Sequence, residues 1–322
     1  MRILIAGASG AIGRPLVRRL KANQHEIFAL ARAPDPARLK EIGAEPLIAD
    51  ALDSVAVKAA VGRIRPDAVI NELTSLPRHY TPAEMKSAAE RDRKVRVEGN
   101  INLLAALRDA GARRYLLQSS GFWYAPGAGF ANESVPFISN ASPGVEASAR
   151  TYQQLEERAS AVPGIEFVAL RYGFFYGPGT WYTREGDMGD QVRQQRLPII
   201  GEGQGLYSFV HIDDAAWATA AALECPPGAY NIVDGNPSPQ HVWLAAFARM
   251  AGAAPPPRMS EEEALRTSGP DAVYYATRLR GASNEKARRE PELHPRRSSG
   301  FKDRTKDPTN RRWMSDHGRL PR

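Results

Sequence analysis

The stretch Arg2-Ile3-Leu4-Ile5-Ala6-Gly7-Ala8-Ser9-Gly10-Ala11-Ile12-Gly13 opens the chain and decides how the rest is read. Its first five residues form a short apolar run of the kind that makes a buried strand. The glycines after it predict a tight turn into a helix. Gly7 lets the backbone reverse through positive φ, and a side chain at Gly10 would keep a phosphate from the backbone N–H groups. Gly13 lets the helix pack closely on the strand. Residues 15–22 continue as an amphipathic helix, with Leu16, Val17 and Leu20 on one face and Arg18, Arg19 and Lys21 on the other. Strand, glycine turn and helix N-terminus in this order suit the diphosphate of a dinucleotide, although glycines at 7, 10 and 13 depart from G-x-G-x-x-G.

Along the rest of the chain, strand-like and helix-like segments alternate. Residues 25–31, 45–48, 68–71, 114–118, 166–170 and 230–233 read as strands, and 100–110, 147–161, 213–223 and 239–251 as helices. That alternation predicts an α/β fold with a parallel, doubly wound sheet. Residues 1–179 and 209–235 are expected to form the dinucleotide-binding domain, and 180–208 with 236–285 a smaller substrate lobe.

Composition narrows the function classes. The chain has 322 residues, 43% of them hydrophobic, and no apolar run near 18 residues, so no membrane partner is expected. The first residues enter a strand at once and lack the pattern of a signal peptide, and Cys225 is the sole cysteine. A cytoplasmic location follows as the expectation. The net charge of +7 raises the question of nucleic acid. Residues 286–322 hold 12 Lys+Arg against 5 Asp+Glu, while residues 1–285 hold 31 of each. A neutral body argues against a nucleic-acid partner. Residues 291–322 are expected to be a disordered basic tail, since Pro291 ends the last helical stretch and few apolar residues follow.

Several ordered motifs resemble the extended short-chain dehydrogenase/reductases of the NAD-dependent epimerase/dehydratase family. They are Gly7 to Gly13; Ile48-Ala49-Asp50; Leu117-Gln118-Ser119-Ser120 with Tyr124; Leu170-Arg171-Tyr172-Gly173 with Tyr176-Gly177-Pro178-Gly179; and Phe209-Val210-His211-Ile212-Asp213-Asp214-Ala215. The resemblance covers residues 1–290 and implies a Rossmann-type sheet with a smaller C-terminal substrate lobe. It implies a cofactor set of Gly7, Ser9, Gly10, Ala11, Ile12, Gly13, Asp50, Ala51, Leu73 and Thr74. Asp50 would approach the adenine, Leu73 and Thr74 would line the ribose side, and Ser120 would take the substrate-facing Ser/Thr position. A small-molecule substrate is implied, and a homodimer is compatible with the resemblance. At the end of the second strand an acidic residue would bind ribose hydroxyls, whereas this chain has Ala31-Arg32-Ala33. Arg32, with Arg14 or Arg38 as helpers, pairs better with a 2′-phosphate and favours NADP(H) over NAD(H).

Departures from the family pattern bear on the chemistry. The usual Tyr-x-x-x-Lys pair is missing, because no lysine lies between Lys94 and Lys286. Tyr152 is the candidate proton donor, with Tyr124 and Tyr176 as alternatives, and Glu156 stands where its lysine would be. A nearby carboxylate would raise the phenol's pKa. Arg96 replaces a usual Asn. Tyr207 replaces the arginine that meets a sugar nucleotide's diphosphate, and Phe122, Trp123, Tyr176, Trp181 and Tyr182 suggest an aromatic-lined pocket. His211, Asp213 and Asp214 are expected to be structural, with Asp capping a helix start, so no metal site is expected. Three functions stay open. The first is an NAD(P)-dependent oxidoreductase acting on a carbonyl or alcohol of a small, partly apolar substrate; the second is a sugar epimerase or dehydratase. The third is a dinucleotide-binding sensor or scaffold without turnover.

Overall fold

The computed structural model describes residues 1–32 and 36–297. In chain order the elements are β1 (Arg2–Ala6), α1 (Gly13–Ala22), β2 (Glu26–Ala31), α2 (Pro36–Glu41), β3 (Glu45–Ile48), α3 (Ser54–Ile64), β4 (Ala68–Asn71), α4 (Pro82–Ala110) and β5 (Arg114–Ser120). There follow α5 (Pro143–Ser160), β6 (Glu166–Tyr172), β7 (Phe174–Tyr176), α6 (Asp187–Arg193), β8 (Ile199–Ile200), β9 (Leu206–Tyr207), β10 (Phe209–His211), α7 (Ile212–Ala221) and β11 (Gly228–Ile232). The last are β12 (Ser238–Pro239), α8 (Gln240–Ala251), β13 (Arg258–Met259), α9 (Glu261–Thr267), α10 (Pro270–Arg278) and α11 (Glu285–Arg289).

Seven strands form one parallel sheet in the order β11-β6-β5-β4-β1-β2-β3. Their apolar runs are buried on both faces, as a parallel sheet covered by helices requires. Leu4, Val69, Tyr115 and Leu117 pack under α3, α4 and α5, while Ile3, Ile5, Ile70 and Leu116 pack under α1 and α7. The strand order reverses beside β1, the topological position at which doubly wound sheets bind ligands.

Local chemistry sets the helix starts. The Asp53 carboxylate accepts the N–H groups of Val55 and Ala56 at 3.0 Å each to start α3. The Thr81 hydroxyl accepts the Glu84 N–H at 3.2 Å to start α4. That helix runs 29 residues, beginning far ahead of the expected position 100. Residues 82–99 are so charged that no apolar stripe marks them.

One expectation is corrected. The disordered tail was placed from residue 291, but Leu293 is fully buried in the core formed with α1 and α7. Arg297 donates its backbone N–H to Asp214 at 2.7 Å and pairs with Asp213 at 2.8 Å, and the Arg296 guanidinium stacks on Trp217 at 3.5 Å. A single leucine and paired arginines dock this segment despite its poor overall apolar content. Residues 298–322 of that tail lie outside the described residues.

Candidate active site

A cleft of about 450 Å³ opens at the carboxyl ends of β1, β2, β3 and β4. Gly7, Ser9, Gly10, Arg32, Asp50, Ala51, Leu73 and Thr74 from the sequence-derived set line it. Gly7 has φ +99°, and a Cβ there would stand 2.5 Å from the Glu72 carbonyl oxygen, so both conformation and space demand glycine. Ser9, Gly10 and Ala11 are exposed. The N-terminus of α1 has no side-chain cap and no acidic residue in its first turn, leaving its positive end open above them. This cradle fits a dinucleotide diphosphate.

Two members of the set act from behind the cleft. Ile12 is buried and anchors the turn. Gly13 was expected to let helix meet strand, but a Cβ there would strike the carbonyls of Gly7 and Ala8, so the close approach is to the turn itself. Asp50 accepts the Leu52 N–H at 3.0 Å, and the Ala51 carbonyl accepts from Asn102 at 2.8 Å, which fixes the loop after β3. Arg32 is exposed on the rim, and Arg14 donates Nε to the Ser9 carbonyl at 3.1 Å. Arg38 lies outside the described side chains.

Ser120 and Tyr152 are not among the residues lining this cleft. Ser120 ends β5, opposite Tyr172 of β6, where its buried Oγ accepts the Phe122 N–H at 3.4 Å. Tyr152 projects from α5 and packs its ring 5.4 Å from that of Trp123. Burial pushes its hydroxyl up to about 12; Arg96 offsets part of this, and Asp92 and Glu72 add to it. The raised direction matches the sequence expectation, but the carboxylate blamed there is occupied elsewhere. Glu156 takes two hydrogen bonds from Arg171, at 2.9 and 2.7 Å, and one from Ser119 at 2.5 Å. The cation near Tyr152 comes instead from α4: the Arg96 guanidinium lies 5.1 Å from the ring, held by Asp92 at 2.7 Å and Gln118 at 3.3 Å. Tyr124, one alternative donor, is committed to Asn231 and Arg171. Tyr176, the other, is raised by burial.

Sequence reasoning missed Glu72. It follows β4 directly, lines the cleft and is 6% exposed. Its Oε1 accepts the Tyr172 hydroxyl at 3.2 Å, while its buried Oε2 has no hydrogen-bond partner among the described residues. Burial pushes the carboxyl up to about 8, against the opposing pull of the Tyr172 hydrogen bond and Arg96. The available signal was a carboxylate directly after the short strand Ala68–Asn71.

The aromatic residues pack largely on one another. Tyr207 is buried against Phe174, Phe209 and Trp243, at ring separations of 4.8, 6.2 and 4.9 Å. Trp123 and Tyr182 are likewise buried, whereas Phe122 and Trp181 keep partly open faces. At α7 the cap is the His211 ring, whose Nδ1 accepts the Asp213 N–H at 3.1 Å, rather than the expected aspartate.

The sequence model of the NAD dependent epimerase/dehydratase family matches residues 3–233. A 3-diazoavenalumate denitrifying reductase of a Streptomyces species is 38% identical over 295 residues, covering 89% of this chain and 94% of that protein. A 2-alkyl-3-oxoalkanoate reductase of Stenotrophomonas maltophilia is 26% identical over 279 residues, covering 83% of this chain and 80% of that protein. Among solved structures, a dTDP-glucose 4,6-dehydratase of Streptomyces venezuelae superposes with a TM-score of 0.72 at 19% identity, covering 92% of this chain and 93% of the other. The Thermus thermophilus UDP-glucose 4-epimerase in complex with NAD gives 0.67 at 24%, covering 91% and 94%. No helix among the described residues is long and apolar enough to cross a membrane. With its glycine turn, open helix end and parallel sheet, the chain belongs to the NAD dependent epimerase/dehydratase family, as an NAD(P)-dependent oxidoreductase of the extended short-chain dehydrogenase/reductase type.

Proposed function

We propose that this enzyme is a reductase using NADPH to reduce a small, partly apolar substrate whose electrophilic group needs no strong acid at the moment of hydride arrival. The observation that carries this is the weakness of the acid. Tyr152 is buried with its hydroxyl pushed up to about 12, no lysine stands four residues after it, and its α5 neighbour Glu156 is held by Arg171. A carbonyl becoming an alkoxide needs a proton, and a positioned acid supplies typically about 10²–10⁴-fold for that step. A cationic acceptor such as an aryl diazonium group does not. A dinucleotide held by the Gly7–Gly13 turn would supply the hydride from its nicotinamide. The substrate's terminal nitrogen would take up that electron pair and form an N–H bond; the C–N and N–H bonds then break, N₂ leaves, and the proton released from nitrogen ends on the ring carbon. The 38% relative bears a name that specifies a diazo compound and denitrification, which supports this substrate class.

In this reading the turn at Gly7, Ser9, Gly10 and Ala11 holds the diphosphate, and Ile12 and Gly13 fix the turn. Asp50, Ala51, Leu73 and Thr74 frame the adenosine half, and Arg32 meets the 2′-phosphate. Ser120 orients the substrate, and residues 180–208 and 236–285 enclose it. Tyr207 supports a substrate without a diphosphate, because it is packed among rings where a nucleotide sugar would need a cation. The single free cysteine, Cys225, supports a reducing, cytoplasmic setting; a homodimer is the assembly to test by sedimentation.

Carbonyl reduction is the second reading, favoured by the ketoacid named for the 26% relative and by Ser120 at the end of β5. NADPH oxidation with a panel of aryl diazonium acids and β-keto acids separates the two, with N₂ release followed by mass spectrometry. One N₂ per NADPH on the diazonium arm supports the first reading; turnover of ketones alone overturns it. Tyr152→Phe should leave diazonium turnover within about twofold but lower ketone turnover by at least about tenfold.

A further inference from the structure

Glu72 is a buried titratable group at the cleft to which the hydride step gives no role. Its Cβ lies against the phosphate turn, since a side chain built on Gly7 would approach it to 3.1 Å. From β6 the Tyr172 hydroxyl reaches its Oε1 and also hydrogen-bonds Thr219 of α7 at 2.6 Å. From α4 Arg96 faces it, but that guanidinium is already paired with Asp92; from α5 Tyr152 faces it. Arg14 of α1 lines the same cleft and donates to Ser9. Among the described residues no salt bridge to Glu72 forms, and Arg96 offsets a charge there only in part. A diphosphate placed at the Gly7 turn would bring further negative charge beside it, and an ionised carboxylate there would be repelled with little solvent screening. The neutral acid has no such conflict. Among the described residues Oε2 has no partner, and the terminal carboxyl torsion is soft, so its O–H can turn to an oxygen of the bound dinucleotide.

We propose that Glu72 is a proton-linked part of the cofactor site: it stays neutral in the complex, donates a hydrogen bond to an oxygen of the dinucleotide, and takes up a proton when the dinucleotide binds to protein in which it is ionised. The inference rests on the dinucleotide cleft alone and is independent of the substrate. With the free carboxyl titrating at about 8, affinity falls as pH rises through that value, to about tenfold weaker at pH 9 than at pH 7.

The test is the dissociation constant of NADPH and of NADH between pH 7 and 9.5, for the full chain and for Glu72→Gln. Calorimetry at pH 8 in two buffers of different ionisation enthalpy counts the protons taken up. The parent protein should weaken as stated and take up roughly half a proton, whereas the glutamine variant, neutral at every pH, should show neither. Binding with a flat profile, or identical slopes in both proteins, overturns the assignment of Glu72 while leaving the cleft intact. Failure of the parent to bind either nucleotide at any pH overturns the cleft itself. Should the variant not fold, proton uptake by the parent decides alone: uptake supports the linkage and its absence overturns it.

Discussion

Replacing Glu72 by Gln should change how stability depends on pH, with no ligand present. In the folded chain the carboxyl titrates near 8, against 4.5 for the same group in ordinary surroundings. Between those values the folded state keeps a proton that the unfolded chain has released. Folding therefore binds protons across that window, and stability falls as pH rises from about 4.5 towards 8, levelling once both states are ionised. The full gap corresponds to about 3–5 kcal/mol at about 1.4 kcal/mol per tenfold, with no discount for solvent because the group is buried. Every other carboxylate contributes equally to both proteins, so the difference between variant and parent isolates this one. Urea unfolding at pH 5.5, 6.5, 7.5 and 9 should show Glu72→Gln gaining on the parent by about 1.4 kcal/mol per pH unit up to the folded value, then no further. A difference that stays constant over this range would show that Glu72 is already ionised, paired by Arg96 or wetted from the cleft, and the argument from burial would be refuted.

Two further outcomes follow from the surface of the cleft and from the docked end of the chain. Arg32→Asp should invert the ratio of NADP to NAD affinities by calorimetry, because the proposed 2′-phosphate partner becomes a repelling charge on the exposed rim; an unchanged ratio would remove Arg32 from the proposed site. Leu293→Ala should lower unfolding free energy by about 2–5 kcal/mol in urea, as for other fully buried leucines, and a loss below about 1 kcal/mol would show that residues 291–297 do not hold the core.

The fold was legible because the parallel strands are short apolar runs and the glycine turn has both a conformational and a steric demand behind it, as the φ of Gly7 and its contact with Glu72 bear out. The start of α4 was not, since caps such as Thr81 act locally while charged residues hide the helical period. The docking of residues 291–297 was hidden too, because one leucine among prolines and arginines has no pattern in sequence until α1 and α7 surround it. The surroundings of Tyr152 show the same limit more sharply. Arg96 in place of a usual Asn and Tyr152 without a following lysine are two anomalies 56 positions apart in sequence. In space the guanidinium of the first faces the ring of the second, with Asp92 fixing its direction and Glu72 nearby. The missing lysine is thus matched by a cation supplied from another helix. This cation lowers the Tyr152 hydroxyl less than burial raises it, so the phenol stays a weak acid despite the guanidinium beside it. Periodicity and motif spacing describe neighbours along the chain, and this balance depends on which neighbours the fold brings together.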